Sequence, residues 1–174
     1  MRVNHSHHHV PPIVIMGVAG AGKTDVGSML ADRLGVDFMD GDDLHPQANI
    51  DKMTSGHPLN DKDRRPWLTN IAAWLAEHAD NGAVVACSAL KRIYRDQLRQ
   101  VCPDLVFIHL AGDRKVVAAR VEARTGHFMP ASLIDSQYAT LEPLAANEVG
   151  ITVDFDAPRE ELTTKAAAWL ADAD

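Results

Sequence analysis

Two short stretches hold residues that could do chemistry together: GVAGAGKT at 17–24 and FMDGDDLHP at 38–46. The first fits G-x-x-x-x-G-K-[ST] at every fixed position, a match expected by chance on the order of one time in a hundred for a chain this long. Its glycines at 17, 20 and 22 let the backbone wrap a phosphate closely and aim N–H groups at it. Gly17, Val18, Ala19, Gly20, Ala21, Gly22, Lys23 and Thr24 therefore form a candidate ATP-binding loop. Lys23 can reach the β- and γ-phosphates, the Thr24 hydroxyl can ligate Mg2+, and a helix starting near Lys23 adds its positive dipole end.

The second stretch puts three carboxylates within four positions, where mutual repulsion needs a reason. Beside a phosphate loop the reason is a division of work. Asp40 is placed to hold Mg2+ with Thr24, directly or through water. Asp42, two residues on, points toward a phosphate acceptor as general base or hydroxyl anchor. Asp43 is left to solvent or to a helix start.

A phosphate loop alone does not choose a reaction. A GTPase needs N-K-x-D and a D-x-x-G switch, which LNDKD and VDFD do not supply, and the large motor and transporter ATPases need more chain than 174 residues. A compact kinase acting on a small molecule remains. Such an enzyme needs cations for a charged acceptor and a mobile cover that excludes water. HPLNDKDRRPWL (57–68) offers Arg64 and Arg65 just before a helix, and CSALK (87–91) offers Ser88 and Lys91 where a strand ends. AARVEARTGHFMP (118–130) reads as helix, glycine break and loop. It is a candidate lid over about 122–132, with Arg120 and Arg124 four apart on one face toward the nucleotide.

These motifs need a scaffold, and the apolar runs provide it: IVIM (13–16), VDFM (36–39), AVVAC (83–87), LVFIHL (105–110) and ITVDF (151–155). They lack strict polar alternation, as strands covered on both faces of a parallel sheet do. Amphipathic segments lie between them: Val26, Met29, Leu30 and Leu34 before Gly35; Trp67, Ile71, Trp74 and Leu75, with Pro66 in the first turn; Leu98 and Val101; Val117 and Val121; Leu162, Ala166, Trp169 and Leu170. The expected architecture is α/β, a five-stranded parallel sheet with helices on both faces and a small lid. The tryptophans belong to its core. Ligands in such folds bind at the carboxyl ends of the strands, which is where the motifs fall.

The chain reads as one kinase domain over 11–174, preceded by a His-rich arm over 1–10. In that arm His5, His7, His8 and His9 suit an affinity tag, a weak metal binder or a natural polar arm. A net charge of −7 argues against nucleic acid or an anionic membrane as partner. No apolar run nears the ~20 residues of a membrane span. Cys87 and Cys102 show no metal or redox spacing, so two buried thiols in a cytoplasmic protein are expected.

Several stretches taken together resemble the gluconokinases of the shikimate-kinase-like type: MGVAGAGKT, DGDDLHPQANIDKMTSGHPLNDKDRRPWL, CSALKRIYRDQLR and the GHF of ARTGHFMP, in order from about residue 10 to 155. Even the His-rich start looks like the natural N-terminus of such enzymes. The resemblance implies ATP and Mg2+, transfer of the γ-phosphoryl group to the 6-hydroxyl of D-gluconate, and a homodimer. It implies ATP at 17–24, Asp42 facing the acceptor hydroxyl with Lys23 as its catalytic partner, and gluconate contacts at His45, Lys52, Arg64, Ser88 and Lys91. Of these, Arg64 is assigned to the carboxylate. A shikimate kinase, another small-molecule kinase, a non-catalytic nucleotide switch or a His-based metal module are the alternatives.

Overall fold

The computed structural model describes residues 10–123 and 131–172. Five parallel strands form one sheet in the order β2-β3-β1-β4-β5, with β1 at Pro12–Met16, β2 at Asp37–Asp40, β3 at Ala83–Ala86, β4 at Val106–Ala111 and β5 at Gly150–Asp154. Each link between them carries at least one helix: α1 (Lys23–Leu34), α2 (Gln47–Thr54), α3 (Asp61–Glu77), α4 (Arg92–Val101), α5 (Arg114–Ala123) and α6 (Ala131–Thr140), with α7 (Arg159–Asp172) closing the chain.

The unbroken apolar run of β1 has a direct cause. Ile13 and Ile15 face a layer made with Val26 and Leu30 of α1 and Leu162 and Ala166 of α7. Val14 and Met16 face the opposite layer, with Trp67, Leu68, Ile71 and Leu75 of α3 and Leu98 of α4. Side chains alternate across a strand, so a strand covered twice must be apolar at every position, and β1 is fully buried along its length. Trp67 lies in the core as expected, and Trp74 and Trp169 pack against its margins.

Local signals end α1 where the sequence suggests. Gly35 adopts φ 69° and its N–H returns to the carbonyls of Ala31 and Asp32. The start of α3 corrects an expectation. Pro66 is the sixth residue of the helix and not part of its first turn, and Arg64 and Arg65 lie inside α3, not before it. Asn60 is the reason. Its side chain accepts from the Asp63 N–H at 2.8 Å while the Asp63 carboxylate accepts from the Asn60 N–H at 3.0 Å. This reciprocal cap nucleates the helix upstream of the proline. Pro66 then withholds the N–H that would bond the Lys62 carbonyl, a cost the cap and the burial of Trp67 and Leu68 offset. Helix α6 adds an element that no amphipathic segment of the sequence marks. Within the expected lid, α5 ends at Ala123 and α6 starts at Ala131; Arg124 and the rest of 124–130 lie outside the described residues, as do His5, His7, His8 and His9.

Candidate active site

The phosphate loop leaves β1 at its carboxyl end and turns into α1. At Gly20 φ is +84°, and a Cβ there would meet Val121 at 3.0 Å and Val117 at 3.2 Å, so the loop lies tight against α5. Lys23 folds back over the loop, donating from Nζ to the carbonyls of Gly17 at 2.9 Å and Val18 at 3.0 Å. The segment after β3 braces the other side. The Gly17 N–H donates to Ser88 O at 3.2 Å, and Ala89 holds a left-handed φ of 45°. That backbone brings Ser88 onto the cleft.

Asp40 ends β2, which does not adjoin β1 because β3 lies between them. The carboxylate nevertheless reaches the loop: Thr24 Oγ1 donates to Asp40 Oδ2 at 3.3 Å, while Asp40 Oδ1 accepts from the Asp42 N–H at 3.0 Å. Asp40 thereby caps the 3₁₀ turn Gly41–Leu44 and fixes the aim of Asp42. A glycine is required between them, because a Cβ on Gly41 would sit 2.5 Å from the Ala86 carbonyl. Asp43 is exposed, as expected.

Lys23, Thr24, Asp40, Asp42 and Ser88 line one cleft of about 450 Å³, together with Cys87 and Gln137. Desolvation by the cleft walls raises the Asp42 carboxyl above the ordinary carboxylate range, and the neighbouring Asp40 charge adds to this; the Lys23 ammonium opposes it. Water reaches Asp42 through the open mouth, yet protein surrounds it on the other sides. A carboxylate made more basic, facing a phosphate-loop lysine, suits proton abstraction from a hydroxyl. Cys87 takes no part as a nucleophile, since burial pushes its thiol up to about 12.

The other expected contacts, His45, Lys52, Arg64 and Lys91, do not line that cleft and cluster beside it around α3. His45 stacks on Trp67 with centroids 4.3 Å apart and planes 10° from parallel. Trp67 Nε1 in turn donates to Gly41 O at 2.7 Å, tying α3 to the turn that carries Asp42. Burial lowers the His45 pKa and Arg64 lowers it further, against the pull of Asp42. The Asn49 amide lies 3.3 Å from His45 Nδ1, which assigns the proton of the neutral ring to Nε2. The cations are not bare. Lys52 pairs with Asp63 at 2.5 Å, Lys91 with Asp61 at 3.0 Å, and Arg64 donates to the Tyr94 hydroxyl at 3.1 Å. Each cation thus meets its partner in or against the first turn of α3.

Arg120 lies on the other flank of the loop. It donates to the carbonyls of Ala21 at 3.4 Å and Phe155 at 2.5 Å, with its guanidinium 5.0 Å from the Phe155 ring centroid. A second cleft opens there between Gly20–Gly22 and Ala157–Glu160. Reading the sequence missed Gln137, whose Oε1 accepts from the Ala19 N–H at 2.6 Å. It also missed Tyr94 and Asp61, whose partners are distant in the chain. The fixed spacing of the loop motif found the donors of the cradle but not what touches them.

Among the described residues no group of three or more His, Cys, Asp or Glu could cage a metal ion. A hydroxyl and a carboxylate meeting at Thr24 and Asp40 instead fit Mg2+, which prefers one or two protein oxygens supplemented by phosphates and water. None of the described helices is long and apolar enough to cross a membrane.

Comparison with known proteins bears on this geometry. The family model for shikimate kinase matches residues 19–165. The thermoresistant gluconokinase of Escherichia coli (strain K12) is 46% identical over 160 residues, covering 90% of each chain. The gluconokinase of Gluconobacter oxydans (strain 621H) is 51% identical over 143 residues, covering 81% of this chain and 80% of that one. A crystal structure of a gluconokinase from Sinorhizobium meliloti 1021 superposes with a TM-score of 0.88 at 46% identity, over 95% of this chain and 94% of that chain. A shikimate kinase from Bacteroides thetaiotaomicron, at 17% identity and TM-score 0.70 over 92% of this chain and 98% of its own, shares the fold.

Proposed function

Since the chain belongs to the gluconokinase family of shikimate-kinase-type P-loop kinases, we propose that it transfers the γ-phosphoryl group of ATP to the 6-hydroxyl of D-gluconate. It is a phosphotransferase with an alcohol as acceptor. The observation that carries the reading is Asp42 facing Lys23 across a single cleft that also holds Thr24 and Asp40. The five-stranded fold itself is shared with kinases of other acceptors.

In the reaction, the gluconate O6 attacks the γ-phosphorus, the bond to the β-phosphate oxygen breaks, and ADP leaves. The proton of the hydroxyl passes to Asp42. Lys23 moves from its loop carbonyls to the phosphates, where its charge offsets that of the transferring group. The amides of 17–24 orient the phosphates, and Arg120, with Arg124, serves the nucleotide. Thr24 and Asp40 would hold Mg2+, which supplies charge neutralisation on the phosphate oxygens. Arg64 receives the gluconate carboxylate, while His45, Lys52, Ser88 and Lys91 contact its polyol chain. Lys52 and Lys91 approach the substrate with Asp63 and Asp61 beside them, so their net charge is small and their hydrogen-bonding capacity is what they contribute.

Residues 11–174 act as one catalytic domain with a lid about 122–132, working in the cytoplasm as a homodimer. Light scattering on the purified protein tests the dimer: a mass twice the 18.9 kDa of one chain is expected, and 18.9 kDa itself would overturn it. The activity is tested with ATP, Mg2+ and D-gluconate in an ADP-release assay. Turnover well above an ATP-only control is expected; turnover of shikimate with none of gluconate would overturn the assignment.

A further inference from the structure

We infer that Tyr94 is a positioning residue for the acceptor, holding the Arg64 guanidinium in the orientation that receives the substrate carboxylate. The inference rests on the function proposed above. Tyr94 is the third residue of α4 and is only 4% exposed, so its ring cannot shift without disturbing the core. Its hydroxyl donates to Asp61 Oδ1 and accepts from Arg64 Nη1 at 3.1 Å. The Arg64 guanidinium carbon lies 5.6 Å from the ring centroid and Lys91 Nζ lies 5.7 Å from it. One rigid phenol thus serves two cations assigned to the acceptor.

The direction of each bond matters. Asp61 accepts the phenol proton and also accepts from Lys91 at 3.0 and 3.2 Å. The carboxylate therefore fixes the O–H rotor, which leaves an oxygen lone pair turned toward Arg64. Burial, and then the hydrogen bond to Asp61, raise the phenol pKa, so the group stays a protonated donor through the neutral range. A long arginine side chain loses much rotamer freedom when it binds an anion, and holding it in place beforehand lessens that loss. A tyrosine needed only for packing could satisfy its hydroxyl on any nearby carbonyl. This one spends both hydrogen-bonding functions on the charged residues of the acceptor wall.

The Tyr94→Phe variant keeps the ring and its contacts with both cations but deletes the two hydrogen bonds. In steady-state assays, KM for D-gluconate should rise roughly 10- to 100-fold, the usual loss for a hydrogen bond to a charged group. KM for ATP should stay within about twofold and the thermal midpoint within a few degrees. In an Arg64→Ala background the same substitution should have no further effect on gluconate, because Tyr94 acts through Arg64. Unchanged gluconate KM in Tyr94→Phe, additive losses in the double variant, or equal losses toward both substrates would each overturn the inference while leaving the function intact. A wild-type enzyme silent on gluconate would overturn the function, and this inference with it.

Discussion

Arg95 and Glu148 form an ion pair from which both side chains have lost all contact with solvent. Arg95 Nε donates to Glu148 Oε1 at 2.8 Å and Nη2 to Oε2 at 3.0 Å, and Arg95 also bonds the carbonyls of Ala89 and Leu90. Arg99 donates to the same carboxylate, and so does the Ala145 N–H. The pair thereby anchors the left-handed turn after Ser88 to the chain entering β5. Removing one member strands the other in the interior. Glu148→Gln should cost about 3–5 kcal/mol in chemical denaturation; a cost below about 1 kcal/mol would reduce the pair to a packing detail.

Burial alone would raise the Glu148 carboxyl, but the hydrogen bonds from Arg95, the Ala145 N–H and Arg99 outweigh it and hold the pKa down to about 2. A depressed carboxyl contributes stability that is present above its unfolded value, near 4.5, and is lost as pH falls through 2. Wild-type stability should decline across that window. The Glu148→Gln protein, already weaker, should show a shallower decline in urea melts.

Asp42 titrates in the opposite sense. Desolvation and Asp40 raise its pKa, so activity should fall on the acid side above the ordinary carboxylate range. Asp42→Asn should lower kcat by roughly 10²–10⁴ and abolish that acid limb, with ADP binding retained. Asp40→Asn removes the like charge. A carboxyl NMR titration of the ligand-free protein should then place Asp42 lower than in wild type; an unmoved titration would show that burial acts alone.

Gln137 occupies an amide of the phosphate cradle through its bond to the Ala19 N–H. Nucleotide phosphates must displace that bond to use the amide. Gln137→Ala should tighten ADP by about 2- to 10-fold in calorimetry, the worth of one neutral hydrogen bond. Weaker binding would instead mean that the glutamine itself holds the nucleotide.

His109, within β4, is buried to 2% exposure with no hydrogen-bond partner for either ring nitrogen among the described residues. Burial, and then the Arg95 charge, press its pKa down to about 4. The unfolded ring binds a proton near 6.5, so stability is complete above that pH and drains away as pH falls toward 4. At pH 5 the loss amounts to about 2 kcal/mol. His109→Leu should recover it, giving a melting temperature that changes less between pH 7 and pH 5.

Much of this molecule is legible in sequence where the signal is local. The phosphate loop, the five strands and the stop at Gly35 each depend on neighbouring residues or on a strand's two covered faces. Helix α6 escaped because ASLIDSQYAT carries little apolar periodicity, and the start of α3 because a proline signal masked the Asn60 cap. Asp40 and Thr24 meet through a hydrogen bond, although the strand order that brings them together cannot be read from either motif. Tyr94 with Asp61, and Arg95 with Glu148, lie 33 and 53 residues apart, and nothing in either segment announces the other.

Strand β3 lies between the strand that launches the phosphate loop and the strand that delivers Asp40 and, just beyond it, Asp42. Parallel neighbours stand about 4.8 Å apart, so the two strand ends are held roughly 10 Å from each other. That interval is a ruler cut into the backbone. On the proposed function it spaces the phosphoryl donor from the acceptor hydroxyl, and no side-chain rotation can lengthen or shorten it. Under the same proposal, choice among acceptors falls to the residues around the first turn of α3, which can change without disturbing that strand spacing.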